Sequence, residues 1–141
     1  MQDGSLALVF PMDDKRLPGI AAEDIGKTAY GIFKRGKEFI GKTVAIAGEH
    51  LTGAQMAAAL SRAVGQEIKY NNVPPEVYRS FGFPGADDLG NMFQFKRDFN
   101  QYFVGERDLG FTRSLNPELQ TFEQWLAVHK AQIPLPAEQH A

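Results

Sequence analysis

The tightest constraint on folding lies between residues 43 and 73, where the hydrophobic pattern changes twice. Residues 43–47, TVAIA, are apolar with β-branched members and predict a buried strand. The stretch LTGAQMAAALSRAVG then predicts a helix. Thr52 and Gln55 stand at capping-box spacing, so each side chain can satisfy a backbone N–H left free by the first turn. Met56, Ala59, Leu60, Ala63 and Val64 share one face, and Gly65 provides a stop. Residues 68–73 read as a second strand. Strand, helix and strand in about thirty residues form a βαβ unit, which expects two parallel strands and a right-handed crossover.

The flanking segments extend this reading. Asp3 and Gly4 suit a turn and residues 6–10 a strand, while Pro11 and Pro18 bracket a polar loop. A helix is expected from Ala22, with Glu23 and Asp24 favouring its positive N-terminal end. Ile25, Ala29, Ile32 and Phe33 recur at helical spacing as its apolar face, and Gly36 ends it. After Pro74 the texture becomes helical. A short helix opens at Pro75, and a longer one runs through FPGADDLGNMFQFKRDFNQYF with Asp87 and Asp88 at its start. The last helix carries a second capping box, Thr121 with Gln124, and turns Phe122, Trp125, Leu126 and His129 inward. The expected class is α/β: a small parallel βαβ element plus a mainly helical C-terminal region. Residues 1–133 are expected to form one domain and 134–141 a flexible polar tail.

Composition excludes several functions. Net charge is −2, so no global field draws the chain to nucleic acid or anionic lipid. There is no cysteine, which removes disulfides, zinc fingers and thiol catalysis. No apolar run approaches the roughly 20 residues of a membrane helix, and Asp3, Asp13 and Asp14 break any signal peptide. A cytoplasmic protein is expected. His50, His129 and His140 share no ligand spacing, so no metal site is expected. His129, one turn after Trp125, suits an interfacial core position better than that of a base. Asp13 with Asp14, and Asp87 with Asp88, suit a loop and a helix start rather than acid–base work.

Two motifs are decoys. Residues 36–43, GKEFIGKT, fit the phosphate-binding P-loop pattern. A P-loop follows a strand and opens a helix, so that backbone N–H groups and the helix N-terminus face the phosphates. Here the expected order is inverted, and Phe39 and Ile40 would crowd the loop. Tyr30 and Lys34 have the Tyr-x-x-x-Lys spacing of short-chain dehydrogenases. No serine precedes them at a useful position, and four tyrosines among eight lysines make such a pair unspecific.

Eight of the eleven phenylalanines lie after residue 80. Tyr78, Phe81, Phe83, Met92, Phe93 and Phe95 head an aromatic band that continues to Phe99, Tyr102 and Phe103. Each ring buries roughly 150–250 Å², more than one short segment can cover. The band is therefore expected to supply core, an interface or the lining of a substrate pocket.

Four stretches carry a resemblance: LPGIAAEDIGKTAYGIF, GKTVAIAGEHLTGAQMAAALSRAVGQEIKY, VPPEVYRSFGFPGADDLGNMFQF and NPELQTFEQWLAVHK. Together, over about residues 3–130, they resemble the C-terminal part of NmrA-like proteins, atypical members of the extended short-chain dehydrogenase/reductase superfamily. The resemblance implies a Rossmann domain ahead of this region, binding NAD(H) or NADP(H) through a glycine-rich loop, with Met1 inside a longer protein. No such loop stands in these 141 residues, so no cofactor-binding or catalytic residue carries over. Family members include redox-sensing regulators that bind NADP(H), and reductases. Three functions follow as expectations: the substrate-side or regulatory half of an NAD(P)-sensing protein, the substrate lid of an NAD(P)H-dependent reductase, or a stand-alone interaction or ligand-binding module. The implied partner is a missing or separate Rossmann domain, with a homodimer as another way to cover the aromatic band.

Overall fold

The computed structural model describes residues 5–135. The expected turn at Asp3 and Gly4, and tail residues 136–141, lie outside them. Two small sheets sit within a mostly helical structure. β1 (Leu6–Val9) runs parallel to β4 (Ile68–Asn71), with Leu6 opposite Ile68 and Val9 opposite Asn71. β2 (Arg16–Gly19) runs antiparallel to β3 (Glu49–Thr52), with Arg16 opposite Thr52 and Gly19 opposite Glu49. The helices are α1 (Ala22–Lys34), α2 (Gly53–Val64), α3 (Pro75–Arg79), α4 (Ala86–Asp98), α5 (Asn100–Gly105), α6 (Leu109–Leu115) and α7 (Phe122–His129).

The parallel element is present, but one of its strands is not the one expected. Residues 43–47 form no strand, and β4 pairs instead with β1 from the far end of the sequence. Among the described residues, 43–46 make no backbone hydrogen bond at all, and Ala47 donates only to the Thr112 hydroxyl at 3.3 Å. A strand needs a ladder partner, and β1 is taken by β4, β3 by β2. Pro18 lies in β2 rather than in a loop, opposite His50 in a two-stranded sheet where its missing N–H is tolerated. The long helix expected over residues 83–103 begins only at Ala86 and breaks at Phe99 into α4 and α5. The short α6 was not expected.

Both capping boxes are formed. Thr52 accepts from the N–H of Gln55 at 3.2 Å while the Gln55 carbonyl oxygen accepts from the N–H of Thr52 at 2.9 Å. Thr121 and Gln124 repeat the arrangement at 3.2 and 2.8 Å. Ser61 then ties α2 to β4: its hydroxyl accepts from the N–H of Ile68 at 2.8 Å. A core of Phe10, Met12 and Tyr78 forms between β1 and α3, packed round by Leu8, Leu17, Met56, Tyr70, Val73 and Phe93. The Tyr70 hydroxyl enters it as a strut, donating to the Phe10 carbonyl at 3.0 Å and accepting from the N–H of Met12 at 3.2 Å.

Helix α1 is turned about from its expected orientation. Its buried residues are Asp24 and Thr28, whereas Ile25 is 48% exposed and Phe33 79%. Gly31 lies on the inward side, where an added Cβ would stand 2.1 Å from the carbonyl oxygen of Leu115 in α6. That backbone approach leaves room for no side chain. The inward face is polar and small; of the expected apolar face, Ile25 and Phe33 look out while Ala29 and Ile32 are half-buried.

Candidate functional site

A cleft of about 440 Å³ opens between the β2–β3 sheet, the start of α1, and α7. Leu17, Ile20, Leu51 and Met56 provide apolar wall. Phe122, Trp125 and His129, spaced three and four residues apart on α7, form the opposite side. Their rings are nearly parallel: Phe122 and Trp125 have centroids 6.4 Å apart, Trp125 and His129 4.6 Å. The capping box fixes where α7 begins, and Glu49 of β3 accepts from the N–H of Phe122 at 2.8 Å, docking that end on the β2–β3 sheet. Nδ1 of His129 lies 2.9 Å from the Trp125 carbonyl. A carbonyl only accepts, so Nδ1 carries the hydrogen and the neutral ring keeps its lone pair on Nε2.

The polar rim is acidic. Glu23, in the first turn of α1, accepts from the side-chain amide of Gln120 at 3.1 Å. Its own backbone N–H, then the Gln120 amide, hold its carboxyl below the usual range, and His129 adds in the same direction. No lysine or arginine lines the cleft, and among the described residues none forms an ion pair with Glu23 or Glu49. Behind the rim Asp24 is fully buried. It accepts from the N–H of Gln120 at 2.9 Å and from the Asn116 amide at 3.2 Å, joining α1 to the segment that leads into α7.

The residues expected to form a substrate or interface pocket lie elsewhere, in two groups. Tyr78 is buried, with Phe81, Phe83 and Phe93 packed round its ring at 5.5–5.7 Å. Phe93 also stacks on Phe10 at 5.5 Å, within the core. Met92 is half-buried on α4. Phe95 belongs to a second group with Phe99 and Phe103, and there Phe103 is sandwiched between Lys96 and Arg107. Phe81, Phe83 and Phe95 stay 38–47% exposed. None of the six lines the 440 Å³ cleft. Sequence reasoning did single out Phe122, Trp125 and His129, as the inner face of the last helix. Of that face only Leu126 is fully buried, and the three rings line the cleft. Glu23, Glu49 and the wall on the β2–β3 sheet were missed, because nothing in their spacing links residues 17, 49 and 129.

The decoy motifs resolve by position. Residues 36–39 form a short 3-10 helix after α1, Gly36 and Gly41 adopt positive φ, and no helix begins until Gly53. The GKEFIGKT loop therefore does not lead into a helix, as a P-loop does. Tyr30 is 65% exposed, with the Lys34 ammonium 5.5 Å from the centre of its ring. Asp13 accepts from Asn72, and Asp87 and Asp88 sit in the first turn of α4. Among the described residues no three His, Asp or Glu side chains are grouped to hold a metal, and no helix is long and apolar enough to cross a membrane.

With the geometry in hand, comparison with known proteins places the chain. The model of the NmrA-like family matches residues 1–126. The chain belongs to the NmrA-like family. A rat NmrA-like family domain-containing protein 1 is 35% identical over 69 residues, covering 48% of this chain and 40% of that protein. The negative transcriptional regulator NmrA, solved in complex with NAD and with NADP, has 26% identity and a TM-score of 0.66. That likeness covers 94% of this chain and 45% of NmrA. The triphenylmethane reductase of Citrobacter sp. has 17% identity and a TM-score of 0.68 over 92% of this chain and 45% of its own, a likeness of fold alone. The chain thus spans under half the length of each of these proteins.

Proposed function

We propose that this chain is the substrate-side and regulatory half of an NmrA-like protein whose NAD(P) is held by a separate Rossmann body. The observation that carries this reading is residues 43–46. They have the composition of a strand, yet among the described residues their backbone N–H and C=O groups have no protein partner. Such a segment completes its hydrogen bonds on the edge of another sheet. The outward apolar face of α1 supports the same surface, since Ile25 and Phe33 lie exposed on a helix whose buried side chains are polar. Regulation rather than turnover is favoured by the likeness to NmrA at 26% identity, and by the exposed Tyr30 and Lys34, which face no other catalytic group.

The test is reconstitution. Calorimetry on this chain alone is expected to give no saturable heat with NADPH or ATP. Mixed with the dinucleotide-binding half of an NmrA-like relative, the chain is expected to form a one-to-one complex that takes up NADP. One-to-one binding of either nucleotide by this chain alone, or no complex between the halves, overturns the proposal. Sustained NADPH oxidation by the complex with carbonyl or quinone substrates would overturn its regulatory part and favour a reductase lid.

A further inference from the structure

We infer that the cleft beneath α7 is a binding site for a small organic cation: an ammonium group on an aromatic or aliphatic body. This goes beyond the preceding section, because the cleft is complete within the chain and needs no second body.

The wall of the cleft is apolar: Leu17, Ile20, Leu51, Met56 and the ring face of α7. At about 440 Å³ it falls within the range of small-molecule sites. Among the donors at the cleft, the Thr121 hydroxyl and the Trp125 indole N–H have no acceptor among the described residues, whereas the Gln120 amide and the backbone N–H of Phe122 are engaged. The Gln120 amide is directed to Glu23 at 3.1 Å and to Asp24 at 3.4 Å, and the N–H of Phe122 goes to Glu49. Acceptors remain. Each of the two carboxylates has one oxygen held by a side-chain or backbone donor of the protein and a second with capacity left, and the neutral form of His129 has a lone pair on Nε2. Two carboxylates and an imidazole nitrogen, with no lysine or arginine in the lining, are matched by a ligand that brings donors and positive charge. An anion meets two like charges there, and a neutral apolar molecule fills the wall but leaves the acceptors unpaired.

Trp125 is the single tryptophan of the chain, so intrinsic fluorescence reports from the cleft itself. The 141-residue protein is titrated with 4-phenylbutylamine, with 4-phenylbutanol as its uncharged counterpart and with 4-phenylbutyrate as the anion. The amine is expected to shift Trp125 emission saturably and to bind about tenfold more tightly than the alcohol, the ratio shrinking as salt is added. Glu49→Gln and Glu23→Gln are each expected to weaken the amine by about five- to tenfold and leave the alcohol unchanged. Glu49 also pins α7, so Glu23→Gln, on the exposed rim, decides the matter if Glu49→Gln fails to fold. Equal affinity for amine and alcohol, preference for the carboxylate, no saturable change in Trp125 emission, or an amine affinity untouched by Glu23→Gln overturns the proposal.

Discussion

Asp24 has no accessible surface, and among the described residues no lysine or arginine pairs with it. A buried carboxylate of this kind is tolerated only if donors replace its water, and here the Asn116 amide and the Gln120 N–H do so. Asp24→Ala strands both donors and is expected to destabilise the fold by about 3 kcal/mol, read from the midpoint of urea unfolding. A change under 0.5 kcal/mol, the scatter of ordinary surface substitutions, would mean that the Asn116 and Gln120 contacts are incidental. His50 gives a second expectation at this scale. Its Nε2 is buried without a hydrogen-bond partner. Burial first, then the charges of Arg16 and Arg107, lower its proton affinity below the ordinary 6.5, against a hydrogen bond to the Arg107 backbone. A histidine with a depressed folded pKa costs nothing while neutral in both states. As pH falls below 6.5 the unfolded chain takes a proton that the folded ring resists, so stability declines. The decline levels off once pH passes below the folded value. His50→Gln should flatten that part of the profile; an unchanged slope would show that other groups set it.

At the scale of elements, chemistry local in sequence was legible and chemistry between distant segments was not. Helices α2 and α7 announced themselves because a capping box is written in four consecutive residues. Thr52→Ala and Thr121→Ala should each cost about 1 kcal/mol in chemical denaturation, and no loss in either would show that the caps do not set these helix starts. The face of α1 was misassigned for the opposite reason. Periodicity places apolar residues inward, and the partners that bury Asp24 and Thr28 lie some ninety residues away, beyond the reach of any spacing rule. Gly31 is the clearest sign of the true orientation, and Gly31→Ala should destabilise the α1–α6 crossing by about 1–3 kcal/mol because the obstructing atom is backbone. Wild-type stability in that variant would mean that the two helices stand further apart. The cleft was illegible for the same reason as α1. Its acidic rim joins residues 23 and 49, and only its α7 side follows a local pattern. Residues 43–47 are a separate case: the composition of a strand is local, but a strand exists only when a second backbone meets it.

For the whole molecule, the balance of covered and uncovered apolar surface decides how the isolated chain behaves. Phe33 and Ile40 are at least three-quarters exposed, and Phe99 and Tyr102 are exposed on the α4–α5 side. Leaving one large apolar side chain in water forfeits about 1.5–3 kcal/mol, so four such groups rival the 5–15 kcal/mol that holds a typical domain together. Within the proposed assembly the Rossmann body would cover part of this surface, on the side of α1 and residues 43–46. Without it, the simplest cover is a second copy related by a two-fold axis. We expect light scattering of the purified chain to give a dimer, and Phe33→Asp to convert it to a monomer that binds a hydrophobic dye. The choice of Phe33 matters. Phe93 stacks on Phe10 inside the core, so a charge there would unfold the chain and say nothing about assembly. Phe99→Asp serves as the second arm: if it dissociates the dimer and Phe33→Asp does not, the self-contact lies on α4–α5 and the α1 surface is left for the other half. Adding the dinucleotide-binding half should then displace the dimer when α1 is the contact, because the two compete for one face, and should leave it intact when α4–α5 is. A stable monomer that binds no dye would mean that the exposed rings carry no drive to associate, and the case for a second body would then rest on residues 43–46 alone.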